Sequence, residues 1–276
     1  MILFPLLGHA TLIAFALYIP LWLLSLRSRS VTIIDPFWGL GFGVIGWGLC
    51  LYYQTWSWFA FLPLVCISIW GLRYAIHIYW RSWGHREEQS FYPYAEWRAQ
   101  SGKHFWWVSF FRVFLAQILG HLLIGLGLWV RIAQAHDFSL KNMMPQAGQC
   151  LWSTALGIAL WFLGVCCEGI ADYQLACFKR DPANAGKVLD RGLWRYSRHP
   201  NYFGDILMWW GMFFLCWSQD FWMTLCAAVG PIVMTVILTL GSGVSLVEKR
   251  AKVAQKPAYA EYKKKTSALI PWFPAR

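Results

Sequence analysis

Charge is what this chain has least of. Only 13% of its 276 residues are Asp, Glu, Lys or Arg, against 58% hydrophobic, a balance that excludes an ordinary soluble domain, where charged residues make up about a quarter. Acidic residues are the scarcer kind, 13 in all. No Cys-x-x-C occurs among the eight cysteines, most of which fall in apolar runs. They read as small packing residues in lipid, in neither disulfide nor metal site. There is no internal repeat, low-complexity tract or long linker, which disfavours a repeat-built transporter and predicts one membrane domain over 1–276. No basic residue precedes Arg27, and no A-x-A-like site follows the first apolar run. That run is therefore expected to remain as a span rather than leave as a signal peptide.

What is present is a series of apolar runs. Seven have the 17–25 residues that a bilayer core of roughly 30 Å requires, at about 5–25, 36–54, 58–79, 108–130, 149–171, 202–218 and 221–243. The fold class predicted is all-α, a polytopic membrane protein of seven transmembrane helices. A net charge of +11 suggests nucleic acid until its distribution is followed. Of 24 Lys and Arg, 21 lie after spans 1, 3 and 5 or in the tail: Arg27 and Arg29; Arg81, Arg86, Arg98, Lys103 and Arg112; Lys179, Arg180, Lys187, Arg191, Arg195 and Arg198; and eight from Lys249 onward. This alternation predicts an N-terminus outside and a C-terminus in the cytoplasm, with a multi-pass protein in the cell membrane and no nucleic-acid partner. Two long loops, about 80–107 and 172–201, and the tail 244–276 then face the cytoplasm together.

Gly41-Phe-Gly43-Val-Ile-Gly46 matches G-x-G-x-x-G, but no strand precedes it. Small residues along span 2 instead suit close helix packing in lipid. Asp35-Pro36 opens that span, with Asp35 readable as an N-cap, a catalytic carboxylate or both. At the end of span 3, Tyr74, His77 and Arg81 follow i, i+3, i+7 and share a face. A polar stripe on a membrane helix lines a site more readily than it faces lipid.

Glu168 and Asp172, at i and i+4, align where span 5 ends. Such carboxylates pair with arginines, or hold ribose hydroxyls in a nucleotide site. Further on, Arg191, Arg195, Arg198 and His199 lead into His199-Pro200-Asn201-Tyr202-Phe203-Gly204-Asp205 at the mouth of span 6. Cations beside helix N-terminal amides suit a phosphate or carboxylate. In the tail, Lys263–Lys265 suit an anionic membrane surface, whereas Glu248 and Arg250, emerging from span 7, are placed to cover a cavity.

These residues resemble the steroid 5α-reductase family, closest to its bacterial integral-membrane branch, most specifically over about 150–276. The resemblance rests on Glu168 through Asp172, Arg191-Gly-Leu-Trp-Arg195-Tyr, Arg198-His-Pro-Asn201-Tyr-Phe-Gly-Asp205 and Tyr262 to Pro271. It implies NADPH-dependent reduction of an enone carbon–carbon double bond in an apolar substrate entering from lipid, with the active site facing the cytoplasm. The cofactor-binding part would be about 168–276, comprising Glu168, Asp172, Lys179, Arg191, Arg195, Arg198, His199, Asn201, Asp205, Glu248 and Arg250, with Asn201 on the nicotinamide and no metal. Asp35 and Tyr74 would be catalytic, Asp35 orienting the Tyr74 phenol toward the substrate carbonyl. Asp stands at 35 and 205 where that family has Glu, and Arg73 where it has His; shorter carboxylates reach less far.

Arg198-His-Pro-Asn-Tyr-Phe-Gly204 followed by Glu248 is also similar to the membrane isoprenylcysteine carboxyl methyltransferases and phospholipid methyltransferases. Those imply S-adenosylmethionine as the cofactor. A proton donor at the depth of Tyr74 separates the two, because enone reduction develops negative charge on a carbonyl oxygen and methyl transfer from a sulfonium does not.

Overall fold

A computed structural model describes residues 2–82, 93–140, 151–241, 243–250 and 257–275, without the side chains of 138–140 and 250. The described residues contain helices and no strand. They divide into two compact units, 1–149 with 218–229, and 150–217 with 230–276.

The first unit opens with α1 (Leu3–Ser28), which buries Leu6, Ala10, Ala14, Tyr18, Leu21 and Ser25, one stripe at helical spacing. Its other faces are equally apolar yet exposed, Phe4 and Leu12 among them, the pattern of a helix whose solvent is lipid. Arg29 in the left-handed region ends it, its amide bonded to Ser25 O. A 3₁₀ turn, Thr32–Ile34, leads through Asp35 into α2 (Phe37–Tyr53), and α3 is Trp58–Ser82. Alpha-carbon hydrogens are all that separates α2 from α3 where Gly39 meets Gly71: a Cβ on Gly39 would stand 2.9 Å from the Gly71 backbone. The glycines of span 2 thus serve close packing.

Next comes a series of adjoining helical segments, with a turn at Gly102 (φ 51°). It comprises α4 (Tyr94–Ser101), a 3₁₀ turn at Gly102–His104, α5 (Phe105–Ser109), a π-helical stretch at Phe110–Leu115 and α6 (Ala116–Ile124). The fourth span, expected from 108, therefore belongs to a helical run that starts at Tyr94. Gly125 breaks it before α7 (Leu126–Leu140). Where α1, α2 and α6 meet, His121 is wholly buried. Its ring nitrogens lie 2.7 Å from Gln117 O and 3.0 Å from Trp38 O, and Tyr18 donates to Phe37 O. Gly41 makes the room, since a Cβ there would collide with the His121 ring and the Tyr18 hydroxyl.

The second unit is built on α8 (Leu151–Arg180) and α9 (Pro200–Leu215). Their backbones touch along Gly157 and Gly164 of one and Gly204 and Gly211 of the other, seven apart on each helix. Between them the chain folds back on α8: Trp194 Nε1 donates to Ala171 O at 3.1 Å, and Leu193 N to Gln174 Oε1 at 3.0 Å. Gly192, at φ 62°, makes the turn. The chain continues into α10 (Phe221–Thr239), whose residues are shared between the units, then α11 (Val244–Arg250) and α12 (Pro257–Lys265).

Five described helical runs are long and apolar enough to cross a membrane: Leu3–Ser28, Trp58–Ser82, Tyr94–Ile124, Leu151–Arg180 and Phe221–Lys249. A sixth, α2, is shorter, at 17 residues. The expected span at 202–218 corresponds to α9, whose 16 residues reach about 24 Å at 1.5 Å per residue, short of a roughly 30 Å core. The described residues are thus all-helical, with apolar helices suited to a membrane.

Candidate functional site

In the first unit the polar residues gather where α2 begins. Asp35 closes the 3₁₀ turn, and its Oδ1 accepts the phenol of Tyr94, the first residue of α4, at 2.8 Å. Burial pushes the Asp35 carboxyl up to about 7, against the opposing pull of the Tyr94 hydrogen bond and the Arg81 charge. The N-cap position of α2 falls on Pro36, with Asp35 one residue before it. Tyr74 lies on α3, its ring stacked on Trp70 with centroids 5.5 Å apart. Its Cδ1 would sit 3.0 Å from a Cβ on Gly39, one turn along α2 from Asp35. The partner of Asp35 shown here is Tyr94, a residue sequence reasoning passed over. Nothing local announces a pair 59 positions apart.

In the second unit, α8 and α9 bring the predicted carboxylates together with Asn201. Glu168, Asp172 and Asp205 are all buried. Asn201 Nδ2 donates to Asp172 Oδ1 at 3.2 Å, while Asn201 Oδ1 is buried and has no hydrogen-bond partner among the described residues. An open buried acceptor is costly unless a ligand or water fills it. Lys179, Arg191 and Arg195 are exposed; Arg191 lies 5.9 Å from the Phe178 ring and Arg195 6.0 Å from that of Tyr196.

Arg198 and His199 are engaged otherwise than the sequence suggests. The Arg198 guanidinium bonds Glu248 Oε1 through Nε (2.9 Å) and Nη2 (2.8 Å), and through Nη1 the carbonyls of Lys263 and Thr266 at 3.1 and 2.6 Å. Its donors are taken up by protein acceptors rather than open to a phosphate. His199 Nε2 lies 3.5 Å from Glu248 Oε1, its ring stacked on Tyr202. Burial lowers its pKa to about 4 despite Glu248, so it is neutral near pH 7 and brings no positive charge to the α9 amides. Lys263 also reaches Glu248, at 2.6 Å, and Lys264 pairs with Glu261; two of the three tail lysines are thus in ion pairs. The side chain of Arg250 lies outside the described residues.

The tail is bound along its length to the segment before α9. Arg198 N donates to Ser267 O and Trp272 N to Tyr196 O, both at 2.9 Å, and Ser197 Oγ to Leu269 O at 2.7 Å. Tyr262 donates to Trp194 O. Glu248 and Tyr262 therefore hold the tail and the α9 entrance as one piece.

Residues 21–266 match the family described as Protein of unknown function (DUF1295). The chain belongs to this family. The DUF1295 match takes in both units, with Asp35, Tyr74 and Tyr94 as well as the Arg198–Glu248 clamp inside it. No curated protein and no solved structure matches the chain.

Proposed function

We propose that this protein is a membrane-embedded, NADPH-dependent reductase of an enone carbon–carbon double bond in an apolar, steroid-like or lipid substrate. In this reading seven spans cross the cell membrane, with the N-terminus outside and the active site facing the cytoplasm. The observation that carries it is the Asp35–Tyr94 pair, a buried carboxyl bonded to a phenol at 2.8 Å, with burial pushing the carboxyl up to about 7. Reduction of an enone places negative charge on its carbonyl oxygen in the transition state, and a phenol aimed at that oxygen is the group to stabilise it. Tyr74 takes that role by the resemblance; with Asp35 Oδ1 accepting the Tyr94 phenol, the proton that Asp35 would supply sits on Oδ2.

The second unit suits a dinucleotide in two respects. Asn201 Oδ1 offers a buried acceptor for a carboxamide N–H, and Arg191, Arg195 and Lys179 offer exposed cations for phosphates. NADPH, when bound, supplies the hydride. Asp172 orients the Asn201 amide, and Arg198 with Glu248 positions the tail.

A second reading is a membrane methyltransferase using S-adenosylmethionine. It is favoured by the meeting of Arg198, His199 and Glu248, the residues through which that resemblance runs. Thermal-shift titration of detergent-purified protein with NADPH, NADH and S-adenosylmethionine decides between them, because a ligand of the folded form raises its Tm. NADPH is expected to stabilise. With a reducible enone, Tyr74→Phe should then lower the rate on the order of 10²–10³-fold. Stabilisation by S-adenosylmethionine alone, or unchanged enone reduction by Tyr74→Phe, overturns the reductase.

A further inference from the structure

The first unit carries a groove of about 370 Å³ lined by Trp22, Trp106, Trp107, Phe110 and Phe111. That volume falls in the roughly 300–1,000 Å³ range of small-ligand pockets. Its walls are held in shape. Trp22 Nε1 donates to Trp106 O at 2.9 Å, and the same carbonyl accepts Ser109 Oγ at 2.9 Å at the entry to the π-helical stretch. The rings interlock edge to face, Trp22 on Phe110 at 5.1 Å and Phe110 on Phe111 at 5.3 Å. Trp106, Trp107 and Phe111 nonetheless leave 45–55% of their surface open, so the groove is a concavity the chain does not fill. π-Helical turns often mark functional positions.

Both walls belong to helical runs fit to cross a membrane, Leu3–Ser28 and Tyr94–Ile124, so acyl chains are the solvent at this surface. The residues that flank the five rings in sequence are mostly basic. Arg27 and Arg29 follow Trp22, Lys103 precedes Trp106, Arg112 follows Phe111, and all four are exposed. Glu96, near the start of the second wall's run, is the one acidic residue within 21–30 and 94–115. Arg98 and Arg112 already lie over the Phe105 and Trp97 rings, at 4.1 and 5.0 Å. A choline head would meet an excess of like charge, four exposed cations against Glu96. A phosphate carrying net negative charge would meet cations on both walls.

We infer that this groove binds one anionic phospholipid, an acyl chain lying against the five rings and the phosphate at Arg27, Arg29, Lys103 and Arg112. The inference does not depend on the reductase reading, since none of Asp35, Tyr74 and Tyr94 lines the groove.

Native mass spectrometry of the detergent-purified full chain, titrated in parallel with phosphatidylglycerol and phosphatidylcholine of matched chains, tests it. Phosphatidylglycerol is expected to be retained more strongly by the wild-type protein. Each near-surface cation is worth roughly fivefold in affinity for anionic lipid, so Arg27→Gln with Lys103→Gln should lower phosphatidylglycerol retention by an order of magnitude and leave phosphatidylcholine unchanged. Phe111→Ala, at an exposed ring, should weaken phosphatidylglycerol retention with the rim intact. Equal retention of the two lipids by wild type, stronger retention of phosphatidylcholine, or an undiminished preference in the folded charge variant overturns the site. The charge variant alters only exposed side chains, so it decides the matter even if Phe111→Ala fails to fold.

Discussion

Tyr94 donates a 2.8 Å hydrogen bond to Asp35, joining the start of α4 to the start of α2. Burial pushes the carboxyl it meets up to about 7, against near 4 for an Asp in an unfolded chain. Between those values the native state binds the extra proton, so stability is highest below pH 4 as far as this group is concerned and declines as pH rises through 7. Asp35→Asn should remove that decline. The Tm of wild type minus that of Asp35→Asn, measured across pH 4–8, should fall by several degrees, since about 1 kcal/mol corresponds to roughly 2–4 °C in a chain of this size. Tyr94→Phe removes a bond to the carboxylate and should move the decline to higher pH. A flat difference in both variants means that Asp35 titrates as it does in water.

Arg198 and Glu248 form an ion pair at 8% and 13% exposure. Removing one partner leaves the other charge buried, at a cost of about 3–5 kcal/mol. Glu248→Gln and Arg198→Met should each lower Tm markedly, and the double variant should lose less than the two together. Full additivity in thermal unfolding would mean that Arg198 is held by the Lys263 and Thr266 carbonyls alone.

At Gly164 an added Cβ would sit 2.8 Å from Met208 Cα, whereas at Gly8 nothing lies within 4 Å. Gly164→Ala is therefore expected to destabilise by about 1–3 kcal/mol through forced separation of α8 and α9. Gly8→Ala should be neutral or better, since Ala is the stronger helix former. Equal Tm values for the two variants would show that α8 and α9 are not in backbone contact.

Cys177 is exposed near the end of α8, while Cys50, Cys66 and Cys216 are buried. A variant retaining Cys177 alone should react with a membrane-impermeant maleimide in inverted vesicles and resist it in intact cells, if the positive-inside orientation holds. The opposite pattern reverses the topology.

Much of the architecture is readable in the chain because lipid imposes a simple rule: apolar runs of about 20 residues must close their hydrogen bonds within themselves, as helices. The start of α9 was equally plain, with Pro200 in the first turn. The run from Tyr94 was not. Arg98, Gly102 and Lys103 look like loop, yet α4 reaches Ser101, turns at Gly102 (φ 51°) and resumes at once in a 3₁₀ turn. Glu168, Asp172 and Asn201 could be found because helical spacing or one helix entrance groups them. The partners of Asp35 and Arg198 lie 59 and 50 positions away, and a sequence with no periodic relation between two residues says nothing of their contact. Arg198 misleads for a physical reason: a guanidinium beside a helix entrance suits a phosphate and a tail carboxylate alike.

The notch at Gly41 has a consequence for how the first unit keeps its shape. Apolar helices immersed in an apolar medium have little to stop one sliding lengthwise past another, because each sliver of greasy surface resembles the next. One imidazole touching carbonyls of α2 and α6, backed by the hydroxyl of α1, acts as a depth pin for three rods at once. A methyl group in that notch would cost more than local crowding, for it would free the rods to settle at other heights.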